Sequence, residues 1–184
     1  MMCCHSRWVL FLGALYLSTS LLGTLQAQDE DWQIELTLGK DGWRTYQNPR
    51  FGAVIPVPPG LVALEPPTNG DGQAFATPDG KVRLAVYGCF NVEGTADLDV
   101  RWKDDLVASG RTITYQRKTD SWYVISGVME DGTGFYEKYT ANAKYGSGWR
   151  MTYPQKEEKK YSAWIERIAK GYQPRLGQGF DTLE

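Results

Sequence analysis

Apolar and polar positions alternate with a period of two through most of the second half of the chain, and then the period lengthens. Residues 111–118, 121–130 and 134–144 form three β-branched and aromatic runs. They are separated by the turn clusters Thr119-Asp120-Ser121 and Asp131-Gly132-Thr133-Gly134. A fourth run, residues 148–154, follows Tyr145-Gly146-Ser147-Gly148. Then Tyr161, Trp164, Ile165, Ile168 and Tyr172 recur at the spacing of one helical face. This pattern predicts a strand meander followed by one amphipathic helix that starts near Pro154 and ends near Gly171. Glu157 with Lys160 and Glu166 with Lys170 fall on its solvent side. Residues 122–129 are apolar on both faces, which predicts a central strand covered on both sides. Trp122, Trp149, Trp164 and Ile168 are expected to pack together under the last helix.

The first half of the chain is shorter in its rhythms. Trp43-Arg44-Thr45-Tyr46 reads as a short strand, Asn48-Pro49-Arg50 as a turn, and residues 51–57 as a second strand. Pro56, Pro58 and Pro59 confine that strand to a sheet edge, because proline donates no ladder hydrogen bond. Residues 73–76 and 81–89 flank Thr77-Pro78-Asp79-Gly80, a hairpin in which Val82, Leu84 and Val86 share a face. Thr95 is a candidate cap for a helix in which Leu98, Trp102 and Leu106 lie on one side, with Asp97 and Asp99 in the first turn and Gly110 as the stop. The element order predicts an α+β fold: a mainly antiparallel sheet of about six to seven strands flanked by two helices, an α/β/α sandwich.

Residues 1–27 follow another logic. Arg7 precedes an apolar run from Trp8 to Leu25, and Leu25-Gln26-Ala27 offers a small residue at a cleavage position before the acidic Gln28-Asp29-Glu30-Asp31. This predicts a signal peptide cleaved after Ala27 and a periplasmic or secreted protein with no integral span after cleavage. A retained anchor is the alternative, since the run nears the ~20 residues that cross a bilayer. The Ser18-Thr19-Ser20 interruption and the acidic switch argue against it. Residues 28–40 are expected as a mobile acidic arm, 41–173 as a single α+β domain, and 174–184 as a frayed tail.

Cleavage would also change the chemistry available. His5 leaves with the signal, so the remaining chain has no histidine, which excludes Ser-His-Asp and Cys-His nucleophilic sites and imidazole-bound zinc. Cys89 is the one cysteine left, read as a small hydrophobe at a strand end or as a reactive thiol. Arg7 is lost from the 20 basic residues while all 22 acidic ones stay, for a net charge of −3 with no basic patch for nucleic acid.

The candidate site residues are Asn48, Arg50, Asn69 and Asp71, on two turn-rich loops. Arg50, set after a rigid turn, could fork onto a carboxylate or phosphate. It could equally pair with a structural acid and pack its stem on an aromatic ring. Asn69-Gly70-Asp71-Gly72 departs from the calcium-loop pattern at Gln73 and Ala74 and reads as a tight turn. Glu65, Asp71, Glu130, Asp131 and Glu137 are available for carboxylate chemistry, but no spacing singles out two of them. Glu137 is explained by cross-strand ion pairing. Ser126 suits mid-strand packing, and no glycine cluster opens a helix after a strand as a nucleotide fingerprint requires. No cofactor or metal is expected.

Six motifs together carry a family likeness: YQNPRFG (residues 46–52), NGDGQAF (69–75), a D-G hairpin, WYVISG (122–127), GFYEK (134–138) and TYP (152–154). They resemble a group of uncharacterised exported bacterial proteins that look like distant relatives of the PsbP/Mog1-type α/β/α sandwich. The likeness implies a fold used for docking, by a photosystem accessory subunit in one branch and a small-GTPase binder in another. It carries over no catalytic residue. The expected function is an exported, non-enzymatic accessory protein of the bacterial envelope that binds a protein or envelope component. The alternatives are a carboxylate-dependent hydrolase of envelope saccharide or peptide, and a small-ligand-binding protein using the space between the sheet and the two loops.

Overall fold

The computed structural model describes residues 35–180. The expected signal peptide, its cleavage site and the Asp29-Glu30-Asp31 run lie outside the described residues.

Ten strands divide into two antiparallel sheets. β1 (Leu36–Leu38), β2 (Arg44–Gln47) and β3 (Val54–Val57) form a small sheet in that order. β4 (Val62–Ala63), β5 (Gly72–Ala76), β6 (Arg83–Phe90), β7 (Arg111–Lys118), β8 (Trp122–Met129), β9 (Thr133–Ala141) and β10 (Tyr145–Pro154) form a sheet ordered β4-β5-β6-β10-β9-β8-β7. Helix α1 (Leu98–Val107) covers one face of it, and helix α2 (Glu158–Gly171) with the small sheet covers the other. The α+β sandwich is therefore as expected, with the proline-bounded first strands forming a separate sheet. Pro56 does sit on an edge strand: β3 pairs only with β2, apart from an isolated bridge of Val54 to Gln173.

The main core lies between the two sheets and α2. Ile55, Val57, Phe75, Leu84, Val86, Trp149, Met151, Tyr161 and Ile168 meet there, with Trp164 at its margin. A smaller core under α1 joins Tyr123, Ile125, Phe135 and Tyr139 to Leu98, Trp102 and Leu106. Alternation along each strand sorts residues between these two cores, so a strand such as β9 sends Phe135, Glu137 and Tyr139 toward α1.

Five expectations need correction. β8 is not central: β10 is, and β8 stands next to the edge strand β7. On its second apolar face Trp122 is covered by long cations rather than a helix, with Arg117 and Lys138 lying 5.5 and 5.2 Å over its ring. Trp122 accordingly stays out of the cluster that holds Trp149, Trp164 and Ile168. Thr95 does not cap α1, because its hydroxyl donates to the Val92 carbonyl in a preceding 3-10 turn, and Asp97 takes the cap position. α2 begins four residues after Pro154, since the Gln155 amide donates to Gly132 and holds the first turn on the β8–β9 hairpin.

Both expected loose ends are also partly structured. Leu36–Leu38, from the stretch expected to be an arm, pairs with β2, and Leu36 packs on the core. After Tyr172, Gln173 exchanges two hydrogen bonds with Val54, and the Phe180 amide donates to the Pro49 carbonyl at 2.9 Å. A β-carbon on Gly179 would fall 1.9 Å from the Arg50 carbonyl oxygen, so only glycine lets the tail lie this close. No helix among the described residues is long and apolar enough to cross a membrane.

Candidate functional site

The four residues singled out in the sequence come together. Asn48 is fully buried: its Oδ1 accepts the Phe51 amide at 2.7 Å and its Nδ2 donates to the Gly70 carbonyl at 3.1 Å. Arg50 donates through Nη1 to the Asn69 carbonyl at 2.5 Å and to Asp71 Oδ1 at 2.7 Å. Its guanidinium also lies 5.0 and 5.5 Å from the Phe51 and Phe90 ring centroids. Asn69 Nδ2 donates to Asp71 Oδ2 at 2.6 Å, and Asn69 Oδ1 accepts the Asp71 amide in a tight turn centred on Gly70. Of the two readings of Arg50, this geometry is the pairing one, an arginine on an acid with its stem against aromatic rings. The cluster clips the turn before β3 to the turn before β5, and the tail lies across it.

The carboxylates considered for hydrolysis separate by exposure. Glu65, Glu130 and Asp131 are exposed, and the backbone amide of Thr133 holds Asp131 below the usual carboxylate range. Glu137 is buried.

Glu137 leads to a second polar site that the sequence reading passed over. It projects from β9 into the smaller core, where an isolated carboxylate would be strongly disfavoured. Arg150, directly across on β10, donates through Nε and Nη2 to its Oε2 at 2.9 and 2.7 Å. Arg111 reaches the same oxygen from β7 at 3.5 Å, passing over the Phe135 ring. Arg111 also holds Asp105 of α1 through the main-chain carbonyl and Oδ1, while the Tyr123 hydroxyl donates to Asp105 Oδ2. Burial first, and then the Asp105 charge, push the Tyr123 hydroxyl far above its ordinary range.

Two members of this cluster are left over. Arg101 of α1 lies 5.5 Å over the Tyr139 ring, and its buried Nε has no hydrogen-bond partner. Tyr87 of β6 stacks on the same Tyr139 at 6.4 Å, and its hydroxyl oxygen is buried and unpartnered. That hydroxyl crosses β10 at Gly148, where a β-carbon would come within 2.7 Å of it. Burial, then Glu137, push its pKa well above the ordinary value. The cluster thus holds three guanidiniums, Arg101, Arg111 and Arg150, against two carboxylates, Asp105 and Glu137. The alternation of residues 134–139 did place Glu137 beside Phe135 and Tyr139 on an apolar face. That was the available signal; the helix contribution had none.

On this side of the sheet α1 lies over β8 and β9. Beyond it, Arg83, Ala85, Arg150 and Thr152 of β6 and β10 remain half-buried, and Arg150 keeps 38% of its side chain exposed. An open cleft of about 680 Å³ continues past Arg83 and Thr152 to Lys81, Asp131, Thr133 and Lys156.

No known family matches the chain by sequence, and no curated protein does. Among solved structures the chain is similar to the solution structure of cyanobacterial PsbP (CyanoP) from Synechocystis sp. PCC 6803. The match has a TM-score of 0.53 and 13% identity, and covers 73% of this chain and 94% of that one. At that identity the likeness shows a PsbP-like fold and nothing finer.

Proposed function

We propose that this protein is an exported, non-enzymatic accessory protein of the bacterial envelope that binds a partner protein on the open half of the seven-stranded sheet beside α1. The observation that carries this reading is the partial cover of that face: α1 lies over β8 and β9, while Arg83, Ala85, Arg150 and Thr152 stay partly open on the adjoining strands. These residues stand on paired antiparallel strands, so their spacing is set before any partner arrives. The short side chains Ala85 and Thr152 alternate there with Arg83 and Arg150, and arginine is enriched where proteins meet. The PsbP-like fold agrees with such a role without specifying it. The Asn48, Arg50, Asn69 and Asp71 cluster acts in this reading as a brace at the far end of β6, not as the contact itself. Both buried carboxylates, Asp105 and Glu137, are engaged by arginine, which suits ion pairing better than hydrolysis.

Site-specific photo-crosslinking tests it in cells. A crosslinker at Thr152 is expected to trap one discrete partner, and one at the exposed Ser162 of α2 to trap none. Equal products from both positions, or none from Thr152, would overturn the docking face. N-terminal sequencing of the exported fraction checks the export half, with Gln28 expected as the first residue.

A further inference from the structure

We infer that Arg101, Arg150 and Tyr87 form an oxyanion-binding subsite at the edge of α1, where the covered half of the sheet meets the open half. This rests on the docking face proposed above and names the chemical group taken there: a carboxylate or phosphate. Three observations converge. The cluster has three guanidiniums for two carboxylates, and the surplus is Arg101, which has no carboxylate within ion-pair distance among the described residues. A buried polar atom without a partner is costly, and two such atoms, Arg101 Nε and the Tyr87 hydroxyl, belong to residues that flank one ring, Tyr139. Arg150 completes the set: its bonds to Glu137 use Nε and Nη2, leaving Nη1, and its side chain is partly open to solvent. The Tyr87 hydroxyl lies over Gly148, two residues before Arg150 on the same face of β10, so these donors share one neighbourhood.

An oxyanion seated there would accept from Arg101 and from the Tyr87 hydroxyl, and would balance the charge of the cluster. Charge-assisted bonds of this kind are roughly twice as strong as neutral ones. Glu137 is engaged by Arg150 and Arg111 through Oε2, and no ion pair links it to Arg101.

The test uses the purified protein at pH 7 and constant ionic strength. Thermal unfolding is followed with added phosphate, with acetate, and with chloride as the control. A ligand that binds only the folded state raises the melting temperature in proportion to the logarithm of its concentration once binding is saturated. A rise with phosphate or acetate above the chloride control is expected, and which of the two acts identifies the group. Arg101→Met should abolish the rise and Tyr87→Phe should reduce it severalfold, while Lys160→Met on the far face keeps it. Should Arg101→Met fail to fold, the Nε–H resonance of Arg101 in the wild-type protein decides the matter, since anion binding must shift it. No rise above chloride, or a full rise in Arg101→Met, would overturn the subsite. A rise in purified protein with no crosslink from Thr152 would leave the subsite standing and remove the docking face. A crosslink with no anion response would do the reverse.

Discussion

Two arginine clusters in this molecule look alike in composition and differ in how their charge is balanced. Near the first turn, Arg50 is paired with Asp71, with 24% and 30% of the side chains exposed, and neighbouring amides and carbonyls join the cluster. Under α1, three arginines share two carboxylates, and the side chains of Glu137 and Arg111 are only 1% and 6% exposed. The first arrangement sets a cation against an acid across two turns and reads as a brace. The second is a largely buried set with a surplus cation and three unpartnered donor atoms, Arg101 Nε, Arg111 Nε and the Tyr87 hydroxyl. The difference teaches that a turn-rich loop bearing arginine and aspartate can be the more settled region, while a strand glutamate in an apolar face can mark the less settled one.

The sharpest way to break the comparison is Glu137→Ala. It removes the counter-ion that Arg150 and Arg111 share at the edge of the smaller core, and a cost of about 3–5 kcal/mol is expected in denaturant unfolding. A cost near that of an exposed pair would show that water already reaches the network. The alkaline limb should come next. The hydroxyls of Tyr87 and Tyr123 have raised pKa values in the fold, so they stabilise it fully below the ordinary tyrosine value of 10.0 and lose that contribution as pH rises past it. Melting temperature measured from pH 8 to 11 should fall above about pH 10, and Tyr123→Phe should flatten the fall.

The brace should respond less. Asp71→Ala breaks a partly exposed pair and is expected to cost about 1 kcal/mol, with the crosslinking pattern at Thr152 unchanged. A loss of the crosslink at unchanged stability would return the loop cluster to the binding surface. The smallest effect belongs to exposed carboxylates. Asp41, Asp79 and Asp131 are held below the ordinary carboxylate range, by an Arg167 hydrogen bond, by the Thr77 hydroxyl with Lys81, and by the Thr133 amide respectively. Their contribution is present above the ordinary value of 3.8 and is lost as pH falls through the depressed ones. A shallow decline in melting temperature below about pH 4 is the expected result.

How much of this was legible beforehand divides along physical lines. The period-two runs, the hairpin at Asp79-Gly80 and the helical spacing of Tyr161, Ile165 and Ile168 are local signals, and each produced its element. Asn48, Arg50, Asn69 and Asp71 were readable as a group because turn chemistry marks both loops, and the two loops do meet. The position of β8 was misread because apolarity on both faces does not distinguish a central strand from one whose outer face is roofed by Arg117 and Lys138. In the described part of the tail, Gly179 lies against the Arg50 carbonyl, because glycine, which signals freedom in sequence, also permits close approach in the fold. Sequence alone determined the strand meander and the two amphipathic helices, since these rest on spacing within a few residues, whereas the contact between the two turn-rich loops was decided by the tertiary structure. Only the tertiary structure decided which strand is central and that Arg101, Arg111 and Arg150 outnumber Asp105 and Glu137 in one buried place. Charge balance is a property of a volume, and that volume draws its residues from a helix and five strands up to 63 positions apart between Tyr87 and Arg150.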